Sequence, residues 1–204
     1  MLDPQLLAFN MVDPLRHAKD ELSAAKRAID SMSKAKDTEI FEQAWREFLS
    51  CLEKAWIKTE QICHPHRAEF QPWQGKYQRL RKKDALLRYL KQARNADNHS
   101  IQDVSQLNPG KLIVKWKHPS GDSSKDIEID ESEANNYNAD ELFIELTSPH
   151  IEALPVKNQG KWFNPPKSHL GKAIEDIHPV TLAEHGFEFY SKFLAETERK
   201  FFAR

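Results

Sequence analysis

Residues 94–99 read Arg94-Asn95-Ala96-Asp97-Asn98-His99, an R-N-x-x-x-H hexapeptide at the expected end of an amphipathic helix. A guanidinium keeps its charge and grips phosphate oxygens with a planar fork, while an imidazole titrates near neutrality and moves protons. Together these two groups suffice for metal-free cleavage of RNA. That reaction needs a base for the 2′-hydroxyl proton, an acid for the leaving 5′-oxygen, and positive charge on the pentacoordinate phosphate. His99 is the expected acid or base and Arg94 the expected phosphate ligand. Asn95 is expected to orient the imidazole or bind a sugar hydroxyl. Asp97 is expected to hold Arg94 or His99 in place, at the cost of partly neutralising the field at the phosphate.

On an ideal helix, positions 94 and 99 lie about 140° apart around the axis and do not share a face. Two routes bring the groups together. Asn98 can end the helix and redirect His99, or a twofold axis can set one subunit's histidine beside the other's arginine. The dimeric route supplies an acid, a base and two phosphate ligands.

The elements that must position this kit are mainly helical. Leu15, Ala18, Leu22, Ala25, Ile29 and Met32 recur at alternating spacings of three and four and predict one long helix from Pro14. Asp37 or Thr38 caps a second, carrying Phe41, Ala44, Phe48, Leu52, Ala55, Thr59 and Ile62, with Trp45 and Trp56 broadening its buried face. It should end near Pro65. The short link Lys34-Ala35-Lys36 implies an antiparallel hairpin. His64 to Gly75, with two prolines and a glycine, reads as a loop. A third helix follows from about Lys76 to Asn98, with Leu80, Leu87 and Leu90 in its stripe. Arg94 and Asp97 prolong that apolar face, and the small Ala93 and Ala96 beside them suit a crowded interface.

Leu112 to Trp116, Ile127 to Ile129 and Phe143 to Leu146 read as strands, the first two joined through Pro119-Ser120-Gly121-Asp122. Leu154 to Lys157 and Lys161 to Phe163 read as a hairpin through Asn158-Gln159-Gly160. The last helix, about Pro179 to Phe202, presents Ala183, Phe187, Tyr190, Leu194 and Phe201, with Phe189 and Phe193 alongside. The expected fold is mainly α: a four-helix bundle with a small antiparallel β-sheet inserted before the last helix. It forms a single domain over 1–204, with a helical core at 10–104 and 170–204 and a β-rich insertion at 105–168.

Lys76, Arg79, Arg81, Lys82, Lys83, Arg88 and Lys91 form the most basic stretch and lead into the hexapeptide. They can track an RNA backbone, or simply be the solvated face of a helix. Trp73 and Tyr77 can stack on bases or close a core. Cys63-His64-Pro65-His66 holds three metal-capable side chains, but structural zinc usually takes two ligand pairs and the other cysteine, Cys51, lies upstream on a helix. No metal and no cofactor are therefore expected. His150, His169 and His178 are scattered, with His169 the one expected to reach the site if any does. No glycine-rich phosphate loop, nucleophile elbow or His-Glu-x-x-His motif occurs, which removes ATP-dependent, serine-hydrolase and metalloprotease readings.

Over 204 residues, 39% hydrophobic and 30% charged content describes a heavily solvated globular chain, and a net charge of -1 excludes nonspecific coating of nucleic acid. No run is long enough to span a bilayer, and Met1 to Gln5 starts no secretion signal, so a cytoplasmic location is expected. Cys51 and Cys63, 12 apart, suit reduced thiols.

Arg94, Asn95 and His99, placed near the end of the expected third helix, resemble the motif of the HEPN superfamily. Its ribonuclease members carry R-x4-6-H, often with Asn directly after Arg, in a four-helix bundle. The resemblance covers roughly residues 10–104 and 170–204; the strand-rich insertion is outside the minimal pattern. It implies a homodimer with a composite site that cleaves RNA to a 2′,3′-cyclic phosphate and a 5′-hydroxyl. It also implies roles in toxin-antitoxin or antiphage systems, with an antitoxin or regulatory protein as a possible partner. The other reading is a noncatalytic module that binds RNA, a nucleotide or a protein, in which Arg94 and His99 belong to an ordinary capped helix end.

Overall fold

The computed structural model describes residues 13–99, 102–108, 111–116, 142–147 and 149–203, and excludes the side chains of 98, 99, 111–116 and 142–147. Its first two helices are those the spacing predicts. In α1 (Arg16–Lys34), Ala18, Leu22, Ala25, Ala28, Ile29 and Met32 are buried. α2 (Thr38–Ile62) starts at Asp37, whose carboxylate accepts from the Ile40 N–H at 2.8 Å and so satisfies a donor the helix leaves over. The pair runs antiparallel: Lys58 near the end of α2 bonds Glu21 near the start of α1.

Beyond α2 the sequence reading is corrected. Only Cys63 and the 3-10 turn His64–His66 interrupt the chain before α3 (Arg67–Lys83), which takes in Pro72 and Gly75. Pro72 removes one N–H bond, but it lies on the exposed side, where the helix tolerates the loss. Tertiary packing overrides the weak local propensity. Trp73 stacks near Phe193 (ring centroids 6.0 Å), and Tyr77 meets Phe193 edge-on at 4.9 Å. Trp73 and Tyr77 therefore serve the core.

The expected single helix from Lys76 to Asn98 is two. Asp84 takes an extended conformation (ψ 135°), ends α3 and caps α4 (Ala85–His99), accepting from the Leu87 N–H at 3.0 Å. The hexapeptide thus lies on α4, the fourth α-helix of the described chain instead of the third. The final helix, α5 (Pro179–Phe201), opens with His178 accepting from the Val180 N–H, and Pro179 stands where its missing N–H costs nothing. Its buried centre is Leu182, Ala183, Gly186, Phe189, Tyr190, Phe193 and Leu194, while Phe187 and Phe201 lie at the margin. Gly186 allows close packing, because a Cβ there would sit 2.5 Å from Leu90 Cδ1 and displace that side chain.

Before the last helix lies the expected small β insertion, whose strands form four two-stranded ribbons among the described residues. β1 (Ser105–Asn108) pairs with β4 (His150–Ala153). β2 (Lys111–Trp116) pairs antiparallel with β3 (Leu142–Thr147), from Lys111↔Thr147 to Trp116↔Leu142. The expected strand Ile127 to Ile129 and its turn Pro119 to Asp122 lie outside the described residues. β5 (Val156–Asn158) and β6 (Lys161–Phe163) are the expected hairpin. Gln159 and Gly160 both take positive φ (49° and 77°), as a tight two-residue hairpin turn requires. β7 (Ser168–His169) and β8 (Lys172–Ala173) close another through Leu170 and Gly171.

The chain divides into two compact units, Met1–Gln106 with Ala153–Arg204, and Leu107–Glu152. Residues 153–168, expected within the insertion, therefore belong to the helical unit. No helix among the described residues is long and apolar enough to cross a membrane.

Candidate functional site

The C-terminal half of α4 carries the hexapeptide. Leu86, Leu87, Tyr89, Leu90, Ala93 and Ala96 are buried and fix the helix in the bundle. Ala93 and Ala96, expected at a crowded interface, are 0% and 1% exposed within the fold itself. Arg94 and Asn95 flank this face, half-buried, and Arg94 Nη1 donates to Asn95 Oδ1 at 3.3 Å. Arg94 has further interactions and is not a free charge. The side chains of Asn98 and His99 lie outside the described residues. Because α4 remains helical through His99, the expected turn at Asn98 does not occur, and positions 94 and 99 stay about 140° apart in the helical register.

Asp97 does something the sequence did not indicate. Its Oδ1 lies 2.5 Å from Arg46 Nη1 of α2, and Arg46 Nη2 reaches towards Glu42 and Asp103 at 3.9 Å each. The carboxylate of Asp97, expected to hold Arg94 or His99, answers the charge of Arg46. In the helical register Asp97 falls on the buried stripe, about 20° from Leu90, whereas Asn95 lies about 160° around the axis from Asp97. Arg46 was missed because its hydrogen-bonded partner Asp97 lies 51 residues away, and an i,i+4 contact to Glu42 does not set it apart from other helix-surface arginines.

The seven basic residues do not form one track. Arg81 is 6% exposed, donates from Nε to Tyr190 Oη at 2.9 Å, pairs with Glu53, and lies 4.1 Å above the Trp56 ring. Burial takes it out of any RNA contact. Lys76 pairs with Glu196 at 3.2 Å and covers the Tyr77 ring. Lys82 and Lys91 line a cavity of about 270 Å³ with Glu53 and Glu60, where carboxylates offset their charge. Arg79 and Lys83 are exposed on α3. Arg88 is exposed and turns into a separate groove at the head of α4.

His169 sits at the other end of α4 from the hexapeptide, so it does not reach Arg94. Its Nδ1 lies 2.9 Å from Asp84 Oδ1, and the Leu170 N–H donates to Asp84 Oδ2 at 2.7 Å. From Asp84 to position 94 is about 15 Å along the axis. Burial alone would raise the Asp84 carboxyl, but the Leu170 and Leu87 N–H groups and His169 outweigh it and hold the group below the usual carboxylate range. A carboxylate is an acceptor only, so Nδ1 of His169 carries the proton of this bond.

Cys63 is fully buried, and burial pushes its thiol up to about 12. His66 packs against Phe201 and Phe202. Among the described residues no three His, Cys, Asp or Glu side chains are arranged to hold a metal ion. Comparisons with known protein families, with curated proteins and with solved structures return no significant match, so the chain is placed by its own residues alone.

Proposed function

We propose that this chain is a metal-independent endoribonuclease of HEPN type that works as a homodimer. The observation that carries the reading is Arg94-Asn95…His99 on the last turns of a helix packed inside a mainly helical unit. An uninterrupted helix separates the two positions around its axis, and that favours a composite site in which a twofold axis brings the pairs together. The Arg46–Asp97 pair supports it further, because a carboxylate already answered by a guanidinium opposes phosphate binding less.

In this mechanism one His99 takes the proton of the 2′-hydroxyl as its oxygen attacks phosphorus. The bond from phosphorus to the 5′-oxygen breaks, and the other His99, protonated, gives its proton to that oxygen. Two Arg94 side chains hold the pentacoordinate phosphate. The products are a 2′,3′-cyclic phosphate and a 5′-hydroxyl.

The test is cleavage of an end-labelled, mixed-sequence RNA in EDTA by wild type, Arg94→Ala and His99→Ala, each checked for folding and dimerisation. Wild type should cleave, and His99→Ala should lose at least about 100-fold, the low end of what a positioned acid or base contributes. No cleavage by wild type would replace this reading with a noncatalytic binding module.

A further inference from the structure

The β5–β6 hairpin and the loop after it stand against the first turn of α4 and enclose a groove of about 470 Å³. Three cations line it, Arg88, Lys161 and Lys167, together with Trp162 and a prolyl wall at Pro165 and Pro166, and no acidic residue does. Among the described residues none of the three cations has an ion pair, in contrast to Lys76 and Arg81. Trp162 is 64% exposed, although an indole is among the side chains that gain most from burial. Its cross-strand neighbour Lys157 places Nζ 5.8 Å from the ring centroid, adding a fourth positive charge at the rim.

We infer that this groove binds single-stranded RNA, with a base stacked on Trp162 and the neighbouring phosphates on Arg88, Lys161 and Lys167. An unpaired base has an open π-face for the indole, and its backbone supplies the anions that the cations lack. A duplex keeps its bases stacked inside and has no such face to offer. An acidic peptide would satisfy the cations but gives no reason for an exposed indole.

The placement deepens the ribonuclease reading and rests on it for the direction of the strand. Arg88, Gln92, Asn95 and position 99 fall within about 60° of one another around α4. The hairpin is tied along this side, since Asn158 Nδ2 donates to Gln92 Oε1 at 2.6 Å. From Arg88 to position 99 the helix advances about 16 Å. The groove and position 99 therefore share one side of α4, with the hairpin packed at Gln92 between them.

The experiment uses wild-type protein and a fluorescein-labelled 12-mer of 2′-O-methyl uridine, which cannot be cleaved through its 2′-oxygen, with binding read by anisotropy. Trp162→Ala should weaken binding about tenfold, and Trp162→Phe should recover most of it. Lys161→Ala with Lys167→Ala should weaken binding and lower the slope of log affinity against log salt by about 1.4, two single-strand phosphate contacts. All three positions are on the surface hairpin and loop, and circular dichroism confirms that the variants fold. Unchanged affinity in Trp162→Ala, no binding by wild type, or equal competition by polyglutamate would overturn the proposal. Cleavage of ordinary RNA with Trp162-independent binding would remove the groove and keep the ribonuclease. Trp162-dependent binding without cleavage would do the reverse.

Discussion

Arg81 and Arg88 stand seven residues apart in one basic stretch and meet opposite fates. Arg81 is enclosed by Glu53, Tyr190 and Trp56, whereas Arg88 is exposed at the groove. Removing one partner of a buried ion pair strands the other charge, a loss of about 3 kcal/mol or more. Arg81→Ala should therefore lower the urea midpoint by that equivalent, with Glu53 left unanswered. Arg88→Ala should change unfolding by less than about 0.5 kcal/mol, as for ordinary surface substitutions. A stability loss at Arg88 as large as that at Arg81 would contradict the division. Arg81 also shows how little a run of like charges says about use, since a buried guanidinium and a solvated one are the same letter.

Between residue and bundle, Asp84 decides where one helix ends and the next begins. Its carboxylate caps α4 and accepts from Leu170 and His169, so the loop before α5 is tied to the α3–α4 junction. Asp84→Ala removes a cap and takes the acceptor from the part-buried Leu87 N–H and His169, which should cost about 2 kcal/mol. The folded-state value of this carboxyl is depressed, so its stabilisation is present above the unfolded value and is lost as pH falls through the lowered one. Asp84→Asn should accordingly show a shallower loss of stability than wild type when urea unfolding is followed from pH 6 down to pH 2. An acid limb of undiminished steepness would place the titrating group elsewhere. Gly186 is the other element-scale device: by lacking a Cβ it lets α5 close on Leu90 of the hexapeptide helix.

For the whole molecule, the formal charge of -1 conceals an uneven arrangement, with Lys76 and Arg81 of α3 answered by carboxylates and the three cations lining the groove not. A strand of RNA responds to that local field within about a Debye length, not to the total charge. The composite-site reading makes a further demand on assembly. If both His99 groups serve one reaction, mixing wild type with His99→Ala after subunit exchange should lower cleavage as the square of the wild-type fraction. A linear fall would show that each protomer acts alone. The two compact units divide these tasks unequally, since the hexapeptide and the groove both belong to the unit of 1–106 and 153–204.

What the sequence determined by itself is local. The stripes of α1 and α2 and the cap at Asp37 follow from spacings of three and four and from one carboxylate in reach of its own helix. The hairpin through Gln159 and Gly160 follows from two residues that can turn the chain tightly. The hexapeptide was legible too, as a set of groups able to do one kind of chemistry. Tertiary structure alone decided which charges are spent. Arg46 with Asp97, Arg81 with Tyr190 and Asp84 with His169 are contacts between residues 51, 109 and 85 apart. It also carried α3 through Pro72 and Gly75, because aromatic packing against α5 outweighs the weak propensity of those residues. Periodicity and capping act over a few residues and can be read along the chain, whereas burial and ion pairing depend on partners that only folding brings within reach.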